Sequence, residues 1–142
     1  MSQQNNDAKC VLVIDSELPL GLITNTAAVL SLSIGKKVKG IIGPDVVDGS
    51  GQVHIGITTI PLPILKSTRA ELKILKQKIS SEEFHDLFVV DFSNAAQTTK
   101  NYEEYTKKIS TYTKEDLEYL GIALYGDRKK INKLTGSLPL LR

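Results

Sequence analysis

Lys9-Cys10-Val11-Leu12-Val13-Ile14-Asp15-Ser16-Glu17-Leu18-Pro19-Leu20-Gly21-Leu22-Ile23-Thr24-Asn25-Thr26-Ala27-Ala28-Val29-Leu30-Ser31-Leu32-Ser33-Ile34-Gly35 reads as a strand, an elbow and a helix. The apolar run Cys10 to Ile14 does not alternate, which predicts a strand buried on both faces. Leu20, Ile23, Ala27, Leu30 and Ile34 recur at helical spacing and predict the face that packs on the sheet. The helix is expected to stop at Gly35. No charged residue lies between Leu18 and Gly35, so the opposite side, with Leu22, Val29 and Leu32, also needs cover. Pro19, Gly21, Asn25 and the hydroxyl residues make this run a poor membrane span.

Outward from this unit, strand and helix patterns alternate. Val46 to Ile55 around Gly49-Ser50-Gly51 predicts a small hairpin. Ile57 to Leu65 is strand-like, and Pro61 and Pro63, which lack amide donors, place it at a sheet edge. Thr68-x-x-Glu71 predicts the start of an amphipathic helix with Leu72, Leu75 and Ile79 on its apolar stripe. Leu87 to Phe92 predicts a buried strand, Tyr102 to Ile109 a helix, Tyr119 to Tyr125 the last strand, and Arg128 to Leu134 a basic helix. This alternation predicts an α/β fold with helices on both faces of a sheet of about four main strands. Residues 1–8 are expected to be a flexible tail and residues 9–142 a single α/β domain.

The chain has 142 residues, 41% of them hydrophobic, and a formal net charge of +2. That is enough to bury one core, and the charge is too mild to argue for nucleic acid as a partner. Cys10 is the single cysteine, so no internal disulfide can form; this suits a reducing, cytoplasmic setting. No basic-apolar-small pattern opens the chain, so no signal peptide is expected.

Lys9, Val13, Leu18, Leu20, Gly21 and Thr26-Ala27-Ala28 resemble the opening of peptidyl-tRNA hydrolase type II. Leu134-Thr135-Gly136-Ser137-Leu138-Pro139-Leu140-Leu141 is similar to that family's ending, and Asp91 falls where it carries an aspartate. The departures are specific. The family's lysine falls on Thr24, its glutamine on Ala28, its histidine on Ser31 and its threonine on Ala95, while Gln97 lies near the position of another glutamine. The chain is more similar still to an uncharacterised group, the DUF-two-thousand family. The carrying motifs are Leu18-Pro19-Leu20-Gly21, Gly43-Pro44-Asp45-Val46-Val47-Asp48, Gly56-Ile57-Thr58-Thr59-Ile60-Pro61 and Leu120-Gly121-Ile122-Ala123-Leu124-Tyr125-Gly126. Asn132 to Leu140 completes the set. This resemblance implies a three-layer α/β/α sandwich on a mixed four-stranded sheet, peptidyl-tRNA hydrolase II-like, and implies no activity.

Sites in open α/β sheets lie at the carboxyl ends of strands. That rule selects Asp15, Asp91 and Asn94, with Gln97 beyond them; Thr24 and Asn25 join if the first helix lines the same cleft. Two functions follow. One is a binding protein for a small polar or anionic ligand, held by Asp15, Thr24, Asn25, Asn94 and Gln97. The other is a hydrolase in which Asp91 activates water on an ester or amide. Cys10 at the head of a buried strand is a poor nucleophile. His54 and His85 are too scattered for zinc, and Asp45 with Asp48 is weak evidence for a cation. Gly49-Ser50-Gly51 lacks the lysine of a phosphate loop, and Lys129, Lys130 and Lys133 read as a solvated face. No cofactor and no metal are expected. For the partner, the charge-free first helix predicts a two-fold homodimer, with the C-terminal leucines, Leu138 to Leu141, as the competing cover.

Overall fold

The protein is described by a computed structural model covering residues 7–142. β1 (Ala8–Asp15) is one of the two inner strands of the sheet, and five of its side chains, Cys10 to Ile14, are almost wholly buried. Ala8, read above as part of a tail, is the first residue of this strand; residues 1–6 lie outside the described part. α1 (Leu20–Lys37) follows the elbow. Pro19 starts it without a side-chain cap, its carbonyl accepting the Leu22 and Ile23 amides at 2.9 and 3.0 Å.

β2 (Val46–Val47) and β3 (Val53–His54) form a separate antiparallel hairpin, as expected. β4 (Ile64–Ser67) is parallel to β1 and lies at the sheet edge. It is shorter than the sequence suggests and shifted toward the C-terminus. Within the expected strand, residues 57–63 are an irregular connection with one isolated bridge, Ile42 to Thr58, and Pro61 and Pro63 cannot donate to a ladder. Toward β1 the carbonyl of Pro63 contributes, accepting the Leu12 amide at 3.0 Å.

α2 (Arg69–Ile79) is capped by Thr68, whose hydroxyl accepts the Glu71 amide, and it buries Leu72, Leu75 and Ile79 as its periodicity predicts. A 3-10 turn at Glu82–Phe84 leads into β5 (Phe88–Ser93). This strand was expected to be fully buried. It is instead the other edge of the sheet and is half-buried over its first four residues. α3 (Asn94–Gln97) and α4 (Tyr102–Ser110) follow, then the buried β6 (Tyr119–Asp127) and α5 (Arg128–Thr135).

The strand order is β4-β1-β6-β5, with β6 antiparallel to both neighbours. Two cores flank this mixed sheet. On one face Cys10, Leu12, Phe92 and Ala123 pack with Leu30 and Ile34 of α1. On the other, Val11, Val13, Ile122 and Leu124 pack with the α2 stripe and with Ile131 of α5. Helices therefore cover both faces of the sheet.

Three expectations about α1 change. Gly35 does not stop the helix, which runs on to Lys37, because buried Val38 and Ile41 continue the packing beyond it. The sheet-facing stripe is rotated: Thr26, Leu30 and Ile34 are buried, and Leu22 and Val29 pack against the same core, while Leu20 is 77% and Leu32 75% exposed. The C-terminal leucines do not lie over α1. Leu138 packs on the opposite core, the Leu141 amide donates to Ile64 O at 2.8 Å, and Lys66 N donates to Pro139 O at 2.9 Å. The chain end thus covers the open edge of β4, where an unpaired ladder would otherwise invite association. No helix of the described residues is long and apolar enough to cross a membrane.

Candidate functional site

A cleft of about 450 Å³ opens beside β5. Its walls are Val29 and Ser33 of α1, Ala96 of α3, and Thr99, Lys100, Asn101, Tyr102 and Tyr105 of the α3–α4 turn and α4. Its floor is Val90-Asp91-Phe92. Successive side chains of a strand point to opposite faces. Three consecutive residues can therefore share a cleft only through the strand's side, and this side of β5 has no neighbouring strand. The floor is an open sheet edge, with backbone donors and acceptors, flanked by two phenol rings. Tyr102 and Tyr105 meet edge to face with centroids 5.5 Å apart. Asn101 caps α4 by accepting the Glu104 amide, which fixes the turn that carries the rings.

Asp91 is part of that floor. Its side chain follows Val89 toward the α2 layer, where Lys76 Nζ meets Oδ2 at 3.1 Å; both side chains are less than a third exposed. The same ammonium sits 5.8 Å from the centre of the Tyr119 ring. Burial, then the Asp91 charge, pushes the Tyr105 and Tyr119 phenols above their usual range. Lys76 is the residue that sequence reasoning missed. Its signal was faint: one turn beyond Leu72, it borders the apolar stripe of an amphipathic helix.

The remaining candidates are not brought together. Asp15 is buried at the end of β1; its Oδ1 accepts the Glu17 amide at 3.0 Å, and Arg69 Nε lies 3.7 Å from Oδ2. Thr24 and Asn25 are exposed on α1, which covers the other face of the sheet from Asp15 and the Asp91 carboxylate, and the Thr24 hydroxyl bonds back to Leu20 O and Gly21 O. Asn94 is a clip: its amide donates to Glu118 O at 2.9 Å and its Oδ1 accepts the Glu118 amide at 3.3 Å. Gln97 is exposed at the end of α3. Ser93, which sequence reasoning did not single out beyond its turn, is buried with its Oγ lacking a hydrogen-bond partner.

Other clusters are structural. Lys130 pairs with Asp86 at 2.9 Å and Lys133 pairs with Glu83, so the solvated face of α5 carries two surface ion pairs to residues 83–86. Among the described residues no three metal-ligating side chains converge. Cys10 is wholly buried, and burial pushes its thiol up to about 11. A thiol reagent at pH 8 is therefore expected to label native protein only through opening of β1, with a rate that follows global stability across a urea series. Rapid labelling of folded protein would contradict that burial.

A four-stranded mixed sheet with a rim cleft defines an α/β protein. The family model for a protein of unknown function (DUF2000) matches residues 8–142, and the chain belongs to that family. Among solved structures, a protein of unknown function from Agrobacterium tumefaciens is similar, with a TM-score of 0.84 and 22% identity over 94% of this chain and 97% of that one. That likeness concerns the fold alone. No curated protein matches the sequence.

Proposed function

We propose that the protein binds a small planar polar molecule in the β5 cleft, of the kind that pairs an amide-like edge with an aromatic face, such as a nucleobase or a carboxamide. The observation that carries this reading is the open edge Val90-Asp91-Phe92 beneath Tyr102 and Tyr105. Backbone donors and acceptors at an unpaired edge suit a ligand with a complementary edge, and the tyrosines suit its face. Lys100 on the rim offers a cation for an anionic group such as a phosphate. On this reading ligand recognition lies at Asp91 and the α3–α4 turn, apart from Asp15, Thr24, Asn25, Asn94 and Gln97.

Binding can be followed by amide chemical shifts during titration with adenosine, adenosine monophosphate and nicotinamide. Shifts are expected to cluster at residues 90–92 and 99–105. Tyr102→Ala is expected to weaken binding about tenfold, the worth of one aromatic contact. Lys100→Ala is expected to weaken only the phosphorylated compound. No shifts in these segments across nucleoside, nucleotide and carboxamide panels would overturn the reading.

A second reading has one observation in its favour. Lys76 supplies the charged partner that a lone Asp91 lacks, and the sequence likeness to peptidyl-tRNA hydrolase type II suggests ester or amide hydrolysis with Asp91 as base. Turnover of peptidyl-tRNA and simple esters, abolished by Asp91→Asn, is the test. Activity that survives this replacement unchanged would exclude the mechanism.

A further inference from the structure

We propose that α4 is a lid on the β5 cleft, which opens as a unit and closes over an occupant; the closing half rests on the reading of the cleft as a binding site. Tyr102, Tyr105 and Ile109 recur at helical spacing and make one side of α4 apolar, while Glu103, Glu104 and Lys107 charge the rest. In a surface helix such a side packs on the core. α2 buries Leu72, Leu75 and Ile79 in this way, and α5 buries Ile131 and Thr135. None of the nine residues of α4 is buried. Tyr102 lines the cleft and is still 79% exposed.

What holds α4 is local. Asn101 caps it, the Lys100 amide donates to Glu104 Oε2 at 2.9 Å, and Lys107 Nζ lies 3.7 Å from Glu103 Oε1. Lys108 Nζ donates to the Thr98 hydroxyl. Among the described residues, every hydrogen bond and ion pair of α4 stays within residues 98–112. A helix this short is marginal in water without packing, and exposed ion pairs add little.

The firm anchors lie on either side of the helix. Before it, Ala95 of α3 is wholly buried. After it, Lys73 Nζ of α2 donates to Glu115 O at 2.6 Å, and the Asn94–Glu118 clip closes the base of the whole excursion. The chain between these anchors opens without disturbing the sheet, because nothing in the sheet depends on it. Closure needs a partner for the tyrosine stripe. A planar occupant lying on the Val90-Asp91-Phe92 edge supplies an apolar face for Tyr102 and Tyr105 to cover, and it shields the edge from water.

Native-state amide exchange of the full chain tests the opening without any ligand. The α4 amides are expected to exchange about 100-fold faster than those of Val13 and Ile122 in the sheet, with one shared opening constant and little urea dependence, because a local opening exposes little surface. Thr98→Val, which removes the Lys108 tie, is expected to speed exchange across all of α4 about threefold, the worth of one exposed charged contact, and to leave the β5 amides and the melting temperature unchanged. Exchange of α4 at the rate and urea slope of the sheet would overturn the lid. So would a Thr98→Val effect confined to the residues around Lys108, the mark of a helix that merely frays. Adenosine monophosphate at about ten times its dissociation constant is expected to slow α4 exchange about tenfold, as linkage to the closed form requires. Binding that shifts the amides of residues 90–92 and leaves α4 exchange unchanged overturns the lid and keeps the binding reading. No binding by adenosine monophosphate, adenosine or nicotinamide overturns the binding reading and the closure with it, while the opening stands on the free-chain exchange alone.

Discussion

Gly121→Val is expected to destabilise the protein by about 3 kcal/mol, near the upper end for overpacking a core, and to lower the melting temperature by about 10 °C. Gly121 sits in the middle of the sheet, paired with Ile14 on one side and Phe92 on the other. A Cβ there would lie 2.7 Å from Thr26 Cγ2, 3.1 Å from Leu30 Cδ1 and 3.2 Å from Val13 O. None of these can yield easily. Thr26 is β-branched, wholly buried, and held by its hydroxyl on Leu22 O at 2.7 Å; Leu30 is also wholly buried. Gly121 thus lets Thr26 and Leu30 of α1 rest directly on the sheet. Gly121→Ala is expected to cost less, and Thr26→Ser, which removes the offending methyl, to restore part of that loss. Chemical denaturation of the two single variants and the double measures this coupling. A valine variant within 1 kcal/mol of the parent would mean that α1 shifts freely, which the packing does not allow.

The strands and helices were legible in the sequence wherever burial imposes a pattern. Cys10 to Ile14 is apolar without alternation because both helix layers press on it, and the Leu72, Leu75, Ile79 stripe is visible because the opposite face of α2 is wet. α1 misled for the converse reason. Its exposed side carries no charge, so periodicity could not tell Leu20, which is exposed, from Leu22, which is packed. The sequence also marked residues 57–65 as an edge but could not place the start of β4, since proline forbids the donor and leaves the extended backbone allowed. For the candidate site, the rule of strand ends selected Asp91 because the residue is local to one strand, although β5 runs on past it to Ser93. It could not find Lys76, which comes from another helix, nor the cleft, whose floor is backbone and whose walls come from the turn after α3. The Tyr102–Tyr105 pair was legible as part of a helix and silent as a wall.

Asp15→Ala is expected to cost about 2 kcal/mol, the worth of a charge-assisted hydrogen bond lost with its donor left unpaired, and to shift the urea midpoint down by about 1 M. Asp15→Asn is expected to cost less than half as much. The strand ends at Asp15, and its Oδ1 turns back to accept the Glu17 amide, which begins the elbow into α1. A second anchor lies beside it, where Ser16 N donates to Ser67 O at 3.0 Å. Asparagine keeps an acceptor for Glu17 and gives up only the charge facing Arg69. Alanine removes the acceptor and leaves the amide unpaired beside a buried strand end. Arg69 is not stranded by either change, because its Nη1 bonds Glu118 Oε2 at 2.9 Å. The contrast between the two variants separates a hinge for the elbow from a ligand-binding carboxylate. A hinge makes the alanine variant unstable and leaves the β5 cleft titration unchanged. An alanine variant of parental stability that altered ligand affinity would return Asp15 to the binding site.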